Sequence, residues 1–314
     1  MKKSVKFFVL AALVLSLALT SCNENKNAVE KTDKAIPQKE ALTKAENDSI
    51  NQRMLADVKT ETEKRKSALT EEALSTILET QTVLKQLIEG NKDDAIKKGK
   101  ELIGNLEVLL AKDPSLELIP VNVELERNET VADIETVREN VKLAKEAMAK
   151  GYYREASKIL DNMKSEIVIN TYLIPAATYP VAIRDAVAAM EQNDTIAAAN
   201  ILTSVLGTVV IEKNVIPIPV LNAEQMVIEA ASIDAESHDK ADEVINLLDN
   251  AEYQLQLAEE MGYGKKDRDY APLNDAIKEL KKSVKNKEDS SSKFDSLKES
   301  LKEFKKYFFE NKKK

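Results

Sequence analysis

The sequence predicts a mainly α protein, built of antiparallel helix hairpins with short extended or β arms that carry Ile-Pro dipeptides. Three observations predict it. From Thr70 onward, apolar residues recur three and four positions apart, which is the spacing of one helix face. Three short turns, "GNKDDA" at 90–95, "GYYREA" at 151–156 and "QNDTIA" at 192–197, each separate two such segments. After each pair comes an extended apolar stretch with Ile-Pro: "LELIPVNVELE" at 116–126, "IVINTYLIPAATYP" at 167–180 and "VVIEKNVIPIPV" at 209–220.

The chain opens with Lys2, Lys3 and Lys6 ahead of an apolar run from Phe7 to Leu19. That run falls short of the roughly 20 residues a spanning helix needs, so residues 1–21 read as a signal peptide. Leu19-Thr20-Ser21-Cys22 resembles a bacterial lipobox, which makes Cys22 the expected lipidation site; ordinary secretory cleavage near Ser21 is the alternative. Cys22 is the protein's only cysteine, so no disulfide forms within one chain. Residues 22–69 read as lipidated Cys22, a polar flexible tether and a weak helix.

Residues 70–265 read as the helical core. Thr70 caps a helix whose first turn holds Glu71 and Glu72, with Leu74, Ile77, Leu78, Leu84, Leu87 and Ile88 as its expected apolar stripe. The next helix buries Leu102, Ile103, Leu106, Leu109 and Leu110. In the second pair the stripes are Ile134, Val137, Val141, Ala144, Met148 and then Ala156, Ile159, Leu160, Met163. The third pair starts at Pro180 and carries Ile183, Ala186, Val187, Met190, then Ile201, Leu202, Val205, Leu206. Ala95, Ala156 and Ala197 each stand five residues into a turn, where a small side chain lets two helices approach closely.

Each unit therefore reads helix, helix, arm. Proline biases the residue before it away from helix, and β-branched residues favour extended backbone. Val121, Val123 and Leu125 alternate as in a half-buried strand. The arms either pair in a small sheet, lie as covers over the helices, or run as unpaired connectors. Ile174, Ile216 and Ile218 are expected to be buried in non-helical segments. "NAEQ" at 222–225 resembles a capping box that restarts helix. Residues 266–314 read as a C-terminal helical hairpin, with seams Leu273, Ile277, Leu280, Val284 and Phe294, Leu297, Leu301, Phe304, Phe308. Its last helix is rich in Phe and Lys, which suits packing on the body or contact with a membrane surface.

The formal net charge is −8, and loss of the three leader lysines makes it −11. Such a chain repels nucleic acid and, as a whole, anionic membrane faces. Tryptophan is absent and aromatics are 4% of residues, which argues against sugar stacking and against aromatic-rich interfaces.

Catalytic chemistry is nearly absent from the sequence. The one histidine, His238 in "AESHDK", reads as a solvated or capping residue. With so few soft ligands no metal site is expected, and no cofactor. "GYGKK" at 262–266 lacks phosphate-loop spacing and reads as a helix end and turn. Glu259–Glu260 and Asp234, Glu236, Asp239 read as solvated helix faces. Asp48-Ser49-Ile50, Asp194-Thr195-Ile196 and Asp295-Ser296-Leu297 resemble a short bacterial O-glycosylation sequon.

Four stretches carry a family resemblance: "LEVLLAKDPSLELIPVNVELE" at 106–126, "INTYLIPAATYPVAI" at 169–183, "VIPIPVLNAEQM" at 215–226 and "EEMGYG" at 259–264. Together they resemble the YfdX family of bacterial exported proteins, over roughly 71–264. The resemblance implies a helix-rich periplasmic protein that self-associates. It also implies a link to acid and drug stress, with no established reaction. The lipobox, the tether and the 266–314 extension depart from that pattern.

The expected function is that of a membrane-anchored envelope lipoprotein, a non-catalytic interaction or stress-response protein. The anchor is expected in the outer membrane facing the periplasm. A lipid anchor and a homo-oligomer are the expected partners, with nucleic acid excluded. The alternative is a binder of apolar small molecules. A binder needs an enclosed apolar pocket of ~300 Å³ or more, whereas an interaction protein exposes an apolar patch.

Overall fold

The computed structural model describes residues 41–309 except 113, 116, 237 and 266–267, and leaves out the side chains of 235–238 and 309. The segments expected as signal peptide and tether, with Cys22, lie outside the described residues. Chain contacts group Ala35–Lys314 as one compact unit.

The helix, helix, arm repeat is realised three times. After α1 (Lys44–Ser67) come α2 (Glu71–Ile88), α3 (Lys92–Lys112) and β1 (Leu118–Asn128). The second unit is α4 (Ile134–Ala149), α5 (Tyr153–Asp161) and β2 (Glu166–Pro175). The third is α6 (Tyr179–Glu191), α7 (Thr195–Leu206) and β3 (Val210–Pro217). Four helices complete the described chain: α8 (Ile218–Glu236), α9 (Ala241–Glu260), α10 (Ala271–Lys285) and α11 (Ser291–Phe309), with a 3-10 turn at His238–Lys240.

All three hairpins turn by one device. The pivots Gly90, Gly151 and Asn193 sit in the left-handed region at φ 84°, 79° and 65°. The next N–H returns to a carbonyl five residues back: Asn91 to Gln86, Tyr152 to Ala147 and Asp194 to Ala189, at 2.8–2.9 Å. Glycine reaches this conformation without a Cβ clash, and asparagine tolerates it. Counting from the pivots corrects one expectation. Ala95 and Ala156 are buried five residues on, but the third counterpart is Ala198, fully buried, because the pivot is Asn193 rather than Gln192.

The arms pair in chain order as an antiparallel sheet, β1-β2-β3. Ile119 faces Ile174 across β1 and β2, and Ile167 faces Ile216 across β2 and β3. Pro120 sits on the edge strand β1 beside a register shift at Val121, where a missing N–H costs little. One sheet face is apolar: Val123, Ile167, Ile169 and Ile216 pack with Met54 and Val58 of α1 and Leu221 of α8. Ile174, Ile216 and Ile218 are all buried as expected. Ile218, however, opens α8 instead of lying in an extended segment. Pro219 causes this, since its fixed φ and absent N–H suit a first helical turn. "NAEQ" is consequently not a cap: Asn222 lies inside α8, and its Oδ1 is buried without a partner.

The expected stripe of α2 is half right: Leu87 is buried, and Ile77 and Leu84 pack against the core. Leu74, Leu78 and Ile88 are exposed, Leu78 by 66%. The buried positions are Ala73, Thr76, Thr80, Val83 and Leu87. The two threonines tolerate burial because their hydroxyls bond back to Glu72 O (2.7 Å) and Thr76 O (2.9 Å). Thr80 also shares a 2.9 Å hydrogen bond with the buried Tyr179 hydroxyl. Units one and three thus form one core through α2, α3, α6 and α7. At its tightest point a Cβ on Gly99 of α3 would stand 2.6 Å from Val187 of α6.

The weak pattern before Thr70 is a full helix. Thr43 and Glu46 form a capping box, worth about 1 kcal/mol, at the start of α1. Its buried seam is a single row, Ile50, Met54, Val58 and Thr62. The C-terminal hairpin packs on the body. Leu273, Ile277, Leu280, Val284, Phe294, Leu297 and Leu301 join α8 and α9 in a second core. Phe304 extends it by an edge contact with Tyr270 at 5.1 Å.

Candidate functional site

A cleft of about 650 Å³ lies among α1, α8 and α11. Its floor is Val58 and Leu221, both core residues. Its walls are Asp57, Thr60, Glu61, Lys64 and Arg65 of α1, Glu224 of α8, and Lys302, Lys305 and Lys306 of α11. The spacing of α11 places these lysines here: Lys305 stands one turn after the buried Leu301 on the same side of the helix, and Lys302 and Lys306, four residues apart, flank it at the exposed edge.

Two ion pairs lie within the cleft. Lys305 Nζ sits 2.7 and 2.5 Å from the two oxygens of the buried Glu224 carboxylate. Arg65 bonds Glu61 at 3.2 Å and reaches Asn214 of β3 at 2.8 Å, tying α1 to the sheet. Gln225 donates to Asp57 at 2.7 Å. The cleft thus has the volume of a ligand site, with an apolar floor and walls that carry charged side chains. An apolar hollow of about 310 Å³ runs along α6 and α7, lined by Thr178, Ala182, Ile201, Val205 and Thr208. It is a shallow surface feature.

Apolar surface is instead displayed on the hairpins. Leu74, Leu78 and Ile88 stand out from α2, Ile196 is 76% exposed at the start of α7, and Tyr152 and Tyr153 flank the second turn. Lys92 donates to Asn193 at 2.6 Å, so the first and third turns adjoin at one end and bring Ile88 and Ile196 to that end.

The residues singled out in the sequence fall as follows. Cys22 lies outside the described residues, and so does the His238 side chain. Glu260 is not solvated. It takes Arg138 Nε at 2.9 Å and Nη2 at 2.6 Å, pinning α4 to α9. Asp234 is buried against Ser290. Gly262 and Gly264 have positive φ, and Tyr263 N–H closes the end of α9 on Ala258 O, as a helix end requires. Ser49, Thr195 and Ser296 are exposed, Ser49 and Ser296 within helices and Thr195 in the first turn of α7. Among the described residues no group of three or more His, Cys, Asp or Glu side chains is placed to hold a metal ion. None of the described helices is long and apolar enough to cross a membrane. Sequence reasoning missed the cleft because its walls come from helices about 160 and 240 residues apart in the chain, beyond any local spacing rule.

Residues 76–215 match the family model described as YfdX protein. The match runs from within α2 to within β3, so it is nearly coextensive with the three helix, helix, strand units. It stops before "EEMGYG". Among solved structures, the chain is similar to YfdX of Salmonella Typhi, at 14% identity and a TM-score of 0.33. That alignment covers 47% of this chain and 92% of the other. No curated protein sequence matches the chain.

Proposed function

We propose, from the premise that this chain belongs to the YfdX family through residues 76–215, that it is an envelope lipoprotein anchored through Cys22 whose hairpin core engages protein partners without catalysis. The family is not a known enzyme family. The observation that carries this reading is the division of surface. The cleft among α1, α8 and α11 is walled by charged side chains, while Leu74, Leu78, Ile88 and Ile196 are exposed on the hairpins. Exposed apolar surface is what an interaction protein displays, and Ile88 and Ile196 are brought to one end where the first and third turns adjoin. The lipobox and short leader support the anchor, with the outer membrane facing the periplasm as its place and stress as its setting.

Photo-cross-linking in intact cells tests the reading. A cross-linker at Leu78 should give a discrete protein adduct, and one at Thr60 in the cleft should give none. Adducts at Thr60 alone, carrying a small molecule, would favour the binder instead. Separately, the native protein should fractionate with membranes, and Cys22→Ala should release it or leave an uncleaved precursor.

A further inference from the structure

The α4–α5 hairpin differs from the other two in packing and in charge. Units one and three bury their hairpins against each other, whereas α4 is held at its base by α9. Ile134, Val137 and Met163 pack on Leu257 there, and Val141 is the last residue of α4 in that cluster. Lys150, nine residues further on, projects about 14 Å beyond it at 1.5 Å per residue. Ala144 and Ala156 close the hairpin on itself. Past them the side chains face outward: Leu143, Met148, Tyr152 and Tyr153 are all at least half exposed, Tyr152 by 59% and Tyr153 by 69%.

The charge around this apolar tip is inverted relative to the chain. Residues 142–158 hold Lys142, Lys145, Lys150, Arg154 and Lys158 against Glu146 and Glu155, a local excess of three positive charges in an acidic protein. All five bases are exposed, and none forms an ion pair with a described residue. The same length of chain at the third turn, 185–201, holds Asp185, Glu191 and Asp194 and no base.

We propose that the tip of the α4–α5 hairpin is a docking surface for an anionic lipid membrane. Tyrosine places its ring at the level of the headgroups with its hydroxyl in water, and exposed Leu and Met add apolar area beside it. Lysine and arginine stems lie along apolar surface while their charges reach lipid phosphates. The overall negative charge does not oppose this contact. At physiological ionic strength charges beyond about 8 Å are screened, so the membrane meets the tip and not the chain average. A convex tip that projects from the body suits a planar, deformable surface better than a partner that must close around it.

The test uses the full chain mixed with vesicles. Amine-reactive labelling of Lys142, Lys145, Lys150 and Lys158 is quantified by peptide mass spectrometry, with Lys97 of α3 as internal reference. Phosphatidylglycerol–phosphatidylethanolamine vesicles should lower labelling of the four lysines several-fold relative to phosphatidylcholine vesicles. Lys97 should not change, and high salt should abolish the difference. A lipid on Cys22 would bring the chain to both vesicle types and leave the comparison intact. Tyr152→Ser with Tyr153→Ser should weaken the protection and Lys150→Glu with Arg154→Glu should remove it, both with unchanged circular dichroism. Equal labelling in the two vesicle types overturns the proposal. So does equal protection without vesicles, which would mean that a protein surface covers the tip.

Discussion

The Tyr263 hydroxyl donates to Glu166 Oε2 at 2.9 Å, across 97 residues of sequence. The phenol oxygen in turn accepts the Ser165 N–H at 3.2 Å. Tyr263 follows the left-handed Gly262 that ends α9, and Glu166 is the first residue of β2. One phenol therefore joins the end of the helical layer to the central strand of the sheet. Glu166 is buried, so without the phenol a carboxylate oxygen and a backbone N–H lose their partner together. Tyr263→Phe should cost about 1–3 kcal/mol, read as a lower midpoint in urea. A cost below ~0.5 kcal/mol would show that water replaces the phenol.

Lys281 offers a larger effect. Its ammonium lies 2.8 Å from Asp249 and 2.5 Å from Glu252, joining α10 to α9. Burial disfavours its charge, yet the two carboxylates outweigh burial and hold its pKa above the usual lysine value. The Glu252 side chain is only 4% exposed. Removing the cation leaves the buried Glu252 beside the partly buried Asp249, and breaking such a group costs about 3–5 kcal/mol. Lys281→Met should therefore be strongly destabilising, and adding Glu252→Gln should restore much of the loss. If the single variant unfolds at the wild-type midpoint, the group contributes nothing net.

The sheet gives a paired prediction. Ile216 is fully buried between Ile167 across the strands and the α1 seam, so Ile216→Ala should cost ~2–5 kcal/mol. Leu78 is 66% exposed on α2, and Leu78→Ser should stay within ~0.5 kcal/mol. Reversal of that order would restore the apolar stripe that the sequence suggested for α2.

That stripe marks how far the sequence could be read. Turn chemistry was legible because glycine at a left-handed pivot is a local requirement, and Gly90 and Gly151 announce their hairpins. Asn193 was harder, since asparagine occupies that conformation less often than glycine. The pairing of the arms became visible only in three dimensions, because the Ile119–Ile174 register depends on where two hairpins end. The face of α2 was legible at Ile77, Leu84 and Leu87 and misread at Leu74, Leu78 and Ile88, for a chemical reason. Thr76 and Thr80 count as polar in a periodicity, but a bond to the preceding turn lets them pack as small side chains. The cleft escaped altogether, since Glu224 and Lys305 lie 81 residues apart.

The pH response follows from which groups the fold perturbs. Side-chain donors favour the charged form of several carboxylates. Hydrogen bonds from Thr70 to Glu72, Asn128 to Glu126, the Thr136 backbone to Asp133, Lys164 to Asp161 and Asn286 to Glu288 lower those pKa values. For Asp269 burial opposes the shift, and Arg268 with the Lys265 N–H outweighs it. A depressed carboxylate stabilises the fold above its unfolded value of ~4, and that contribution is lost as pH falls through the folded value. Tyrosines act at the other end. Burial raises Tyr263, Tyr270 and Tyr179 above the usual phenol value. Their contribution is complete below ~pH 10 and is lost as pH rises from there. Unfolding midpoints should therefore be flat from about pH 4.5 to about pH 9.5 and fall on both sides. Dye binding by exposed helix faces should begin only below ~pH 4.5, which makes any acid response a carboxylate event. Urea titrations across this range, with circular dichroism and dye fluorescence, measure it. A transition centred near ~pH 6.5 that disappears in His238→Gln would overturn this account and make His238 the acid sensor.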